Sequence, residues 1–439
     1  MMPIQLRSIR HALIIGVVFA TPAVAQSIAP IIDLPAAKTK TPTTLGGVLG
    51  IRETGGGKVL VNDAGRRRLL LYDTTLTIAR VVFDSVDGVP NRYGRIGLPL
   101  IPYVGDSSLM ADLTGGPQTL LVLDADGKIA RTLALPVPDA GSFMQGLSGT
   151  DTNGNLVYVV SGRIKMPPAG TVGAQDFFVD SYPLMRADLN LRRVDTIAKI
   201  GKNKGEYAKI DHTDPNKIIR TIIVNPLPAP DEWAIMTDGS IAIVRGHDYH
   251  IDFLRADGAK KSTEKLPFDW RRVSDDDKAK LIDSARAAHA EQNALAERSR
   301  NAPSPPPILS ESGSGARTGG GAGITHAAYD ASGRLWVPQD YQVVAPKDIP
   351  DYWPAIRAGA VMADLDNHLW ILPTTSAQSK NGELVYDVVN TNGELFQRVR
   401  FPLGRLLAGF GKGGIVYLLV GNKSAGFILE RTKLSAPLP

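Results

Sequence analysis

GELVYDVVNTNGELFQRVRFPLG, residues 382–404, places two apolar runs on either side of one Asn-Gly pair. The apolar residues are Leu384, Val385, Tyr386, Val388 and Val389 before the pair, and Leu395, Phe396, Val399 and Phe401 after it. Short runs rich in β-branched and aromatic residues are typical of strands. Asn392 and Gly393 tolerate the positive φ angles of a tight hairpin turn. The stretch therefore predicts a β-hairpin, which Pro402 ends.

Similar hairpins recur along the whole chain. Each begins with an apolar run, which is followed by a second run and a hairpin onto a third. The starting positions are Gly57, Gly154, Gly239, Asp366 and Gly413, with a weaker copy at Asp106. Between the first two starts, and again between the last two, the period is about fifty residues, within the range of propeller repeats.

A four-stranded sheet with two apolar faces cannot bury both by itself, whereas radial stacking covers each face with a neighbouring sheet. Six complete hairpins therefore predict an all-β, six-bladed β-propeller. The run ASGRLWVPQD at 331–340 belongs to no clear hairpin and leaves a seventh, degenerate blade open. A β-sandwich is the other all-β arrangement, but it does not require so many similar units. We expect residues 31–34 to close the ring by pairing with the last blade.

The composition agrees with many short strands joined by tight turns. The 439 residues include 44 Gly and 31 Pro and no Cys, so no disulfide stabilises the fold. The formal charge is +5, and it becomes +3 when Arg7 and Arg10 are subtracted with the N-terminal segment. A surplus of this size, without a dense basic run, does not indicate a nucleic-acid partner.

Residues 1–25 have the order of a secretory signal peptide. Arg7 and Arg10 form a basic start, residues 12–20 (ALIIGVVFA) are apolar, and Ala23-Val24-Ala25 provides a small-x-small cleavage site. The apolar stretch is shorter than the roughly 20 residues that a membrane span needs. We therefore expect residues 26–439 to form a single propeller domain without a membrane span, periplasmic or secreted, and monomeric.

Two segments carry a family resemblance. DLDNHLWILP, residues 364–373, precedes the hairpin at 382–404, which gives the order D-x-D-x-x-L-W and then Y-D-V-x-N-x-x-G. With these motifs the chain, over roughly residues 45–435, resembles bacterial exported six-bladed β-propeller proteins of the NHL and TolB-like type. The resemblance implies a fold and no activity, because its motifs are structural. The chain departs from it at Asn367-His368, where these proteins usually have a Gly-containing turn.

The connections differ in length between the two faces expected of the disc. In a propeller, the A–B and C–D turns of each blade lie on one face, and the B–C loops and D–A crossings lie on the other. The first kind are minimal, as at Asp126-Gly127, Asp257-Gly258 and Asn392-Gly393. The second kind are long, at 84–97, 162–181, 201–217, 268–325 and 373–382. We name their side the long-connector face and expect function there, since long loops in a compact repeat are often functional.

The insert at 268–325 lies between blades 4 and 5 and has two parts. Its first part predicts a helix, with Ser274 as the N-cap and Asp277 three residues later. A thin apolar stripe of Leu281, Ala285, Ala288 and Leu295 predicts either packing on the rim or a lid over the mouth. His289 on this helix is expected to be solvated. Residues 301–323 are rich in Pro and then in Gly and Ser, which predicts a tether.

The stretch RGHDYHID, residues 245–252, supplies most of the candidate ligand-binding residues. The full set is Arg245, His247, Asp248 and His250, with His212 in the neighbouring crossing and Lys165 in the long B–C loop. His247 and His250 share a metal ion only if His247 lies off the strand, because an odd spacing sends side chains to opposite faces. The alternative is a polar loop in which Asp and His cap the hairpin. We assign no metal ligand and expect no cofactor.

The sequence contains no G-x-S-x-G or H-E-x-x-H motif and no Cys. Together with the uneven loops, this predicts an exported, non-catalytic binding or scaffold propeller. Its ligand would be a protein, a peptide, a polysaccharide or another anionic envelope component. The alternative is a metal-dependent hydrolase or lyase with its site at the mouth of the central channel. Propeller folds host both classes, so enzymatic activity stays open at this point.

Overall fold

The computed structural model describes residues 29–86, 91–94, 99–112, 119–134, 147–160, 174–177, 181–190, 192–201, 206–211, 213, 217–301, 335–336, 340–377 and 382–435. The strands are β1 (Ile31–Asp33), β2 (Thr39–Lys40), β3 (Val48–Glu53), β4 (Val59–Asp63), β5 (Arg68–Tyr72), β6 (Ala79–Phe83), β7 (Leu100–Pro102), β8 (Ser108–Asp112), β9 (Thr119–Leu123), β10 (Ile129–Ala134), β11 (Leu147–Thr150), β12 (Leu156–Val159), β13 (Ala174–Phe177), β14 (Ser181–Asp188), β15 (Arg193–Gly201), β16 (Glu206–Asp211), β17 (Lys217–Val224), β18 (Glu232–Ile235), β19 (Ile241–Arg245), β20 (His250–Leu254), β21 (Lys260–Ser262), β22 (Leu335–Trp336), β23 (Asp340–Val343), β24 (Val361–Ala363), β25 (Leu369–Ile371), β26 (Val385–Val389), β27 (Leu395–Arg400), β28 (Arg405–Gly411), β29 (Ile415–Asn422) and β30 (Gly426–Lys433). The helices are α1 (Asp275–Asn301) and α2 (Thr374–Ala377), and 3-10 turns cover Gly55–Gly57, Ala64–Arg66 and Pro346–Asp348.

The fold is a β-propeller, as the sequence predicted. Six of the sheets in the described ranges each contain three or four antiparallel strands that pair in chain order. Sheet 1 is β3–β6, sheet 2 is β7–β10, and sheet 3 is β11, β12, β14 and β15. Sheet 4 is β18–β21, sheet 5 is β24–β27, and sheet 6 is β28–β30. Central strands such as β4 and β25 are buried along their whole length, as expected for sheets covered on both faces.

Each of these sheets packs its two faces against different neighbours. Apolar clusters join sheet 1 to 2, 2 to 3, 3 to 4, 4 to 5, 5 to 6 and 6 back to 1. In the last of them, Tyr417 and Leu429 of sheet 6 pack with Val59 and Leu70 of sheet 1. The apolar core is therefore a cycle of interfaces between neighbouring sheets, and no single interior volume holds it.

A further sheet is built from three long connections. Two of them include the predicted connectors 162–181 and 201–217, and the third includes residues 335–343, which follow the predicted insert at 268–325. Its order is β13, β16, β17 and β22, with β23 also pairing with β17. β13 comes from the long B–C loop of sheet 3, and β16 and β17 come from the crossing between sheets 3 and 4. β22 and β23, which include part of the run at 331–340, add in parallel to β17. We name these strands the accessory sheet. The accessory sheet is a seventh sheet beside the six, so the blade count of six stays a prediction.

Helix α1 packs against this accessory sheet. Ser274 and Asp277 form the predicted N-terminal cap: the Asp277 amide donates to Ser274 Oγ at 3.1 Å, and the Ser274 amide donates to Asp277 Oδ2 at 3.1 Å. Ile282 is buried in a cluster with Val343 and Val344. The expectation that His289 is solvated was wrong, because its ring stacks on Tyr341 with centroids 3.6 Å apart. The helix thus lies on the sheet through Ile282 and His289, which are two turns apart on one face.

No helix in the described ranges is both long enough and apolar enough to span a membrane.

The N-terminal strands complete two different sheets. β1 pairs in parallel with β27 of sheet 5, so that Ile32 lies opposite Val399. β2 pairs antiparallel with β30 and becomes the outermost strand of sheet 6. The expectation that residues 31–34 pair with the last sheet was therefore wrong, because Thr39 and Lys40 take that edge instead. Both pairings cover strand edges that would otherwise face solvent.

The minimal turns have the predicted backbone conformation. Gly127, Gly258 and Gly393 have φ values of +76°, +88° and +84°. Asn367, which stands where related turns have Gly, has a φ of +69°. Asn and Gly are the residues that tolerate this left-handed region at least cost. The departure at Asn367-His368 therefore preserves the turn.

Two matched glycine substitutions test the packing between sheets 4 and 5. Gly258→Ala and Gly393→Ala both place Cβ on a positive-φ residue, which costs about 1 kcal/mol. At Gly258 no atom lies within 4 Å of the new Cβ, whereas at Gly393 it would lie 2.1 Å from Thr263 Cγ2. We expect Gly393→Ala to lower the free energy of unfolding by clearly more than Gly258→Ala in urea titrations. Equal losses would contradict the close contact between the two sheets.

Candidate ligand-binding cleft

An open cleft of about 300 Å³ lies on the long-connector face, beside sheets 4 and 5. It is bounded by the chain that leaves β21, by the connection from β25 to β26, by sheet 5 itself and by β1. The lining residues are Ile31, Pro267, Phe268, Asp269, Pro373, Thr375, Val385, Asp387 and Arg398. The cleft is therefore mainly apolar, with a few charged and polar groups.

Two charged residues of the cleft face each other across the strands of sheet 5. Asp387 on β26 lies directly opposite Arg398 on β27, and Ile31 on β1 lies next to Arg398. Arg398 Nε donates a hydrogen bond to Asp387 Oδ1 at 2.9 Å. The side chain of Asp387 is 2% exposed and that of Arg398 is 24% exposed. The carboxylate thus lies beneath the guanidinium, which is the more accessible partner.

A tyrosine from sheet 4 completes this buried group. Tyr249 Oη donates to Asp387 Oδ2 at 2.7 Å, so both carboxylate oxygens accept hydrogen bonds. Tyr249 is fully buried and has a φ of +55°, at the end of the turn between β19 and β20. Its amide donates to the Arg245 carbonyl at 3.0 Å, which closes that turn. The turn therefore directs a sheet-4 side chain into sheet 5.

An aromatic ladder leads from this tyrosine to the surface. Phe268 packs edge-on against Tyr249 with ring centroids 5.6 Å apart. Trp270 packs edge-on against Phe268 at 4.9 Å and is 41% exposed. Edge-to-face contacts at these distances are favourable. The ladder fixes Phe268, which forms one wall of the cleft.

Burial controls the protonation of Tyr249 and Asp387. Burial, reinforced by the neighbouring Asp387 carboxylate, raises the pKa of Tyr249 well above its ordinary value, so the hydroxyl remains a donor. Burial also raises the pKa of Asp387, although the hydrogen bond from Tyr249 and the charge of Arg398 oppose the rise. The group therefore favours an arrangement in which tyrosine donates and aspartate accepts.

Arg245, a predicted site residue, is held between two aspartates at the outer end of sheet 4. Its Nε donates to Asp252 Oδ2 at 2.7 Å, and Nη1 donates to Asp231 Oδ2 at 2.5 Å. Nη1 also reaches the Lys199 carbonyl of sheet 3 at 3.1 Å. Burial opposes the charge of Arg245, but the hydrogen bonds that it donates to both carboxylates raise its pKa. This arginine therefore links sheet 4 to sheet 3.

His250 and Asp248 extend the same network. His250 Nδ1 lies 2.6 Å from Asp248 Oδ1, and Nε2 lies 3.3 Å from Asp252 Oδ1. Lys265 Nζ lies 3.7 Å from the other oxygen of Asp248. His247 lies in the turn and is exposed. The arrangement matches the interpretation in which Asp and His cap the hairpin.

Two predicted site residues, His212 and Lys165, lie outside the described residues, as does the Pro-rich and Gly-rich part of the insert. Within the ranges that the structure covers, no three His, Asp or Glu side chains are grouped so that they could hold a metal ion. A ligand-binding role for the six predicted residues stays a prediction.

The sequence reasoning missed Tyr249, Asp387 and Arg398 as one group. Two members of the group nevertheless lie in stretches with recognisable motifs: Tyr249 in RGHDYHID and Asp387 in Y-D-V. An ionisable residue between apolar neighbours in a strand is a signal of a buried polar contact, because a lone buried charge is costly. What no pattern supplies is the partner, which lies 138 residues away from Asp387 in the chain.

No protein-family model matches the chain, and no curated protein matches its sequence. Three of the similar solved structures are propeller-type proteins. A catalytically inactive virginiamycin B lyase from Staphylococcus aureus with quinupristin is 11% identical, with a TM-score of 0.37, over 90% of this chain and 98% of that chain. A gluconolactonase from Xanthomonas campestris is 9% identical, with a TM-score of 0.37, over 93% and 98%. TolB from Acinetobacter baumannii is 8% identical, with a TM-score of 0.31, over 89% and 63%. At these values no activity carries over to this chain.

Removing the Tyr249 hydroxyl tests the bond between sheets 4 and 5. Tyr249→Phe leaves one oxygen of the buried Asp387 without its donor, so we expect a loss of about 1–3 kcal/mol in the free energy of unfolding. Tyr352→Phe is the control, because Tyr352 is 52% exposed and changes there are usually within about 0.5 kcal/mol. Urea unfolding of both variants measures the difference. Equal values would show that the bond contributes nothing.

The raised pKa of Asp387 gives a pH dependence of known sign. In the folded protein Asp387 keeps its proton at pH values where the unfolded chain has already released it. The contribution of Asp387 to the free energy of unfolding therefore falls as pH rises above about 4, the ordinary pKa of aspartate. Asp387→Asn removes this contribution. We expect the stability of the wild type minus that of the variant to fall with rising pH in urea titrations. A difference that rises with pH would contradict the assignment.

Proposed function

We propose that this protein is a non-catalytic binding propeller whose long-connector face engages a protein or peptide partner. In this proposal, sheets 1–6 form a six-bladed body that presents the accessory sheet, helix α1 and the cleft. The body supplies rigidity, and the connectors supply the recognition surface, a division common in β-proteins.

The observation that carries the proposal is the pairing of three separate connectors into one sheet. Connections inside compact domains are usually short, and long ones without structure are uncommon. Here β13, β16, β17 and β23 leave three different points of the ring and meet in ladders. Helix α1 then covers part of this sheet. A chain that orders so much connector on a single face has a built surface there, which supports binding.

The charged groups on this face also favour binding over chemistry. Arg245, Asp252 and His250 satisfy one another in a network between sheets 3 and 4. Asp387 likewise has both oxygens bonded. Satisfied networks of this kind position the backbone and rigidify a surface. Export is part of the proposal and rests on the order of residues 1–25.

Export has a direct test. If residues 1–25 are removed after Ala25, intact-mass spectrometry of the protein purified from its native host should give a chain that starts at Gln26. Ala25→Leu alters the small residue before the cut and should leave the uncleaved precursor in the membrane fraction. A full-length chain in the cytosol of the wild-type host would contradict export.

Crosslinking in the native host, followed by mass spectrometry, tests the binding surface. We expect crosslinks to partner proteins from α1, the accessory sheet and the rim of the cleft. Lys209→Glu reverses an exposed charge on β16 and should reduce recovery of the main partner severalfold. Lys128→Glu makes the same change in a minimal turn and serves as the control.

The same purified protein provides the contrary outcomes. Crosslinks confined to the minimal turns, or recovery that Lys128→Glu reduces as much as Lys209→Glu, would contradict the proposed surface. A divalent metal ion bound in near-stoichiometric amount, measured by elemental analysis, would instead favour the metal-dependent hydrolase or lyase.

A further inference from the structure

We propose that the cleft binds a carboxylate attached to an apolar group, in the simplest case the C-terminal residue of a peptide, through the Nη groups of Arg398. This inference rests on the proposed binding function and deepens it by naming the chemistry of the ligand. It is carried by the geometry of Arg398 and by the walls of the cleft.

Arg398 has donors that no described residue accepts from. Among the described residues, its side chain makes one hydrogen bond, from Nε to Asp387 Oδ1. Its Nη groups therefore have no protein acceptor in that part of the chain, although the residue lines the cleft and its side chain is 24% exposed. A guanidinium whose terminal N–H groups face an opening matches the planar geometry of a carboxylate.

The orientation of this guanidinium is fixed from behind. Asp387 holds Nε, and Tyr249 holds the second oxygen of Asp387 from sheet 4. Asp387 and Tyr249 are almost fully buried. The two hydrogen bonds that Asp387 accepts, from Tyr249 and from Arg398, therefore have little freedom to rearrange. A donor held in place loses less conformational entropy on binding than a freely rotating one. Tyr249 and Asp387 are thus positioning residues, and of these three residues Arg398 is the one that binds the ligand's carboxylate.

The walls of the cleft determine which chemical group of the ligand can bind beside its carboxylate. Phe268, Ile31 and Val385 present apolar surface, and Pro267 and Pro373 add more. A volume of about 300 Å³ lies at the lower end of the range for small-molecule sites, which suits one side chain with its carboxylate. Asp387 balances the charge of Arg398, so the selectivity comes from directed N–H donors in a largely apolar opening. Asp269 at the edge would favour a ligand without further negative charge nearby.

Two peptides that differ only at the C-terminus test the inference. One is acetyl-Gly-Phe with a free carboxylate, and the other is the same peptide as the C-terminal amide. The protein titrated by calorimetry is residues 26–439. We expect the dissociation constant of the acid to be at least about tenfold lower than that of the amide, because hydrogen bonds to a charged group are stronger. Free phenylalanine, measured beside them, distinguishes an amino acid from a peptide terminus as the source of the carboxylate.

Arg398→Gln should abolish the preference for the acid. Arg400→Gln is the control, because Arg400 lies two residues along β27 and pairs with Asp33 at 3.3 Å outside the cleft lining. Tyr249→Phe should lower the acid-to-amide ratio while the variant remains folded by circular dichroism. A loss of stability alone would reduce binding of both probes equally, so the ratio separates positioning from folding.

Equal affinity for acid and amide, or an unchanged ratio in Arg398→Gln, would overturn the inference. That result leaves the proposed function intact if crosslinks still map to the long-connector face. Conversely, if crosslinks fall on the minimal turns while the acid probe binds through Arg398, the cleft is a small-molecule site and the proposed protein-binding function fails.

Discussion

The fold depends on one constraint: a sheet that is apolar on both faces must be covered on both faces. Exposing the apolar side chains of β4 and β25 to water is unfavourable, so each sheet requires two neighbours. A row of such sheets would leave two uncovered faces at its ends, and joining sheet 6 to sheet 1 removes both. Polar contacts then fix the register between neighbours, as where Gly413 and Gly414 amides donate to the Asp366 carboxylate at 3.0 and 2.7 Å.

The connections between strands satisfy their backbone hydrogen-bonding groups in two different ways. Short turns repeat one device, in which a side-chain oxygen accepts from amides two and four residues later. Asp364 Oδ1 bonds Asp366 and His368 in this way, and Asn390 Oδ1 bonds Asn392 and Glu394. The long connectors satisfy their backbone by pairing with each other in the accessory sheet. These connectors are thereby ordered by their own strand pairing.

Local sequence patterns predicted more of the fold than of the candidate site. The hairpin at 382–404, the turn glycines and the Ser274 cap depend on neighbours in sequence, and all three were predictable. The motif residue Asp364 has a structural role, since its second oxygen accepts from Trp370 Nε1 at 2.9 Å. The pairing of β1 with sheet 5, the stacking of His289 and the Tyr249–Asp387 bond join distant segments. One sequence holds no signal for such pairings, because many strands have similar edges and many loops hold similar polar residues.

The edge strand β2 makes the two ends of the chain interdependent. The Leu429 amide donates to Thr41 Oγ1 across 388 positions, and Thr432 Oγ1 donates to the Pro35 carbonyl across 397. During synthesis, Thr41 and Pro35 are made 388 and 397 residues before their respective partners. Contacts of such separation slow folding, so closure of the ring depends on segments that are 397 residues apart in the chain.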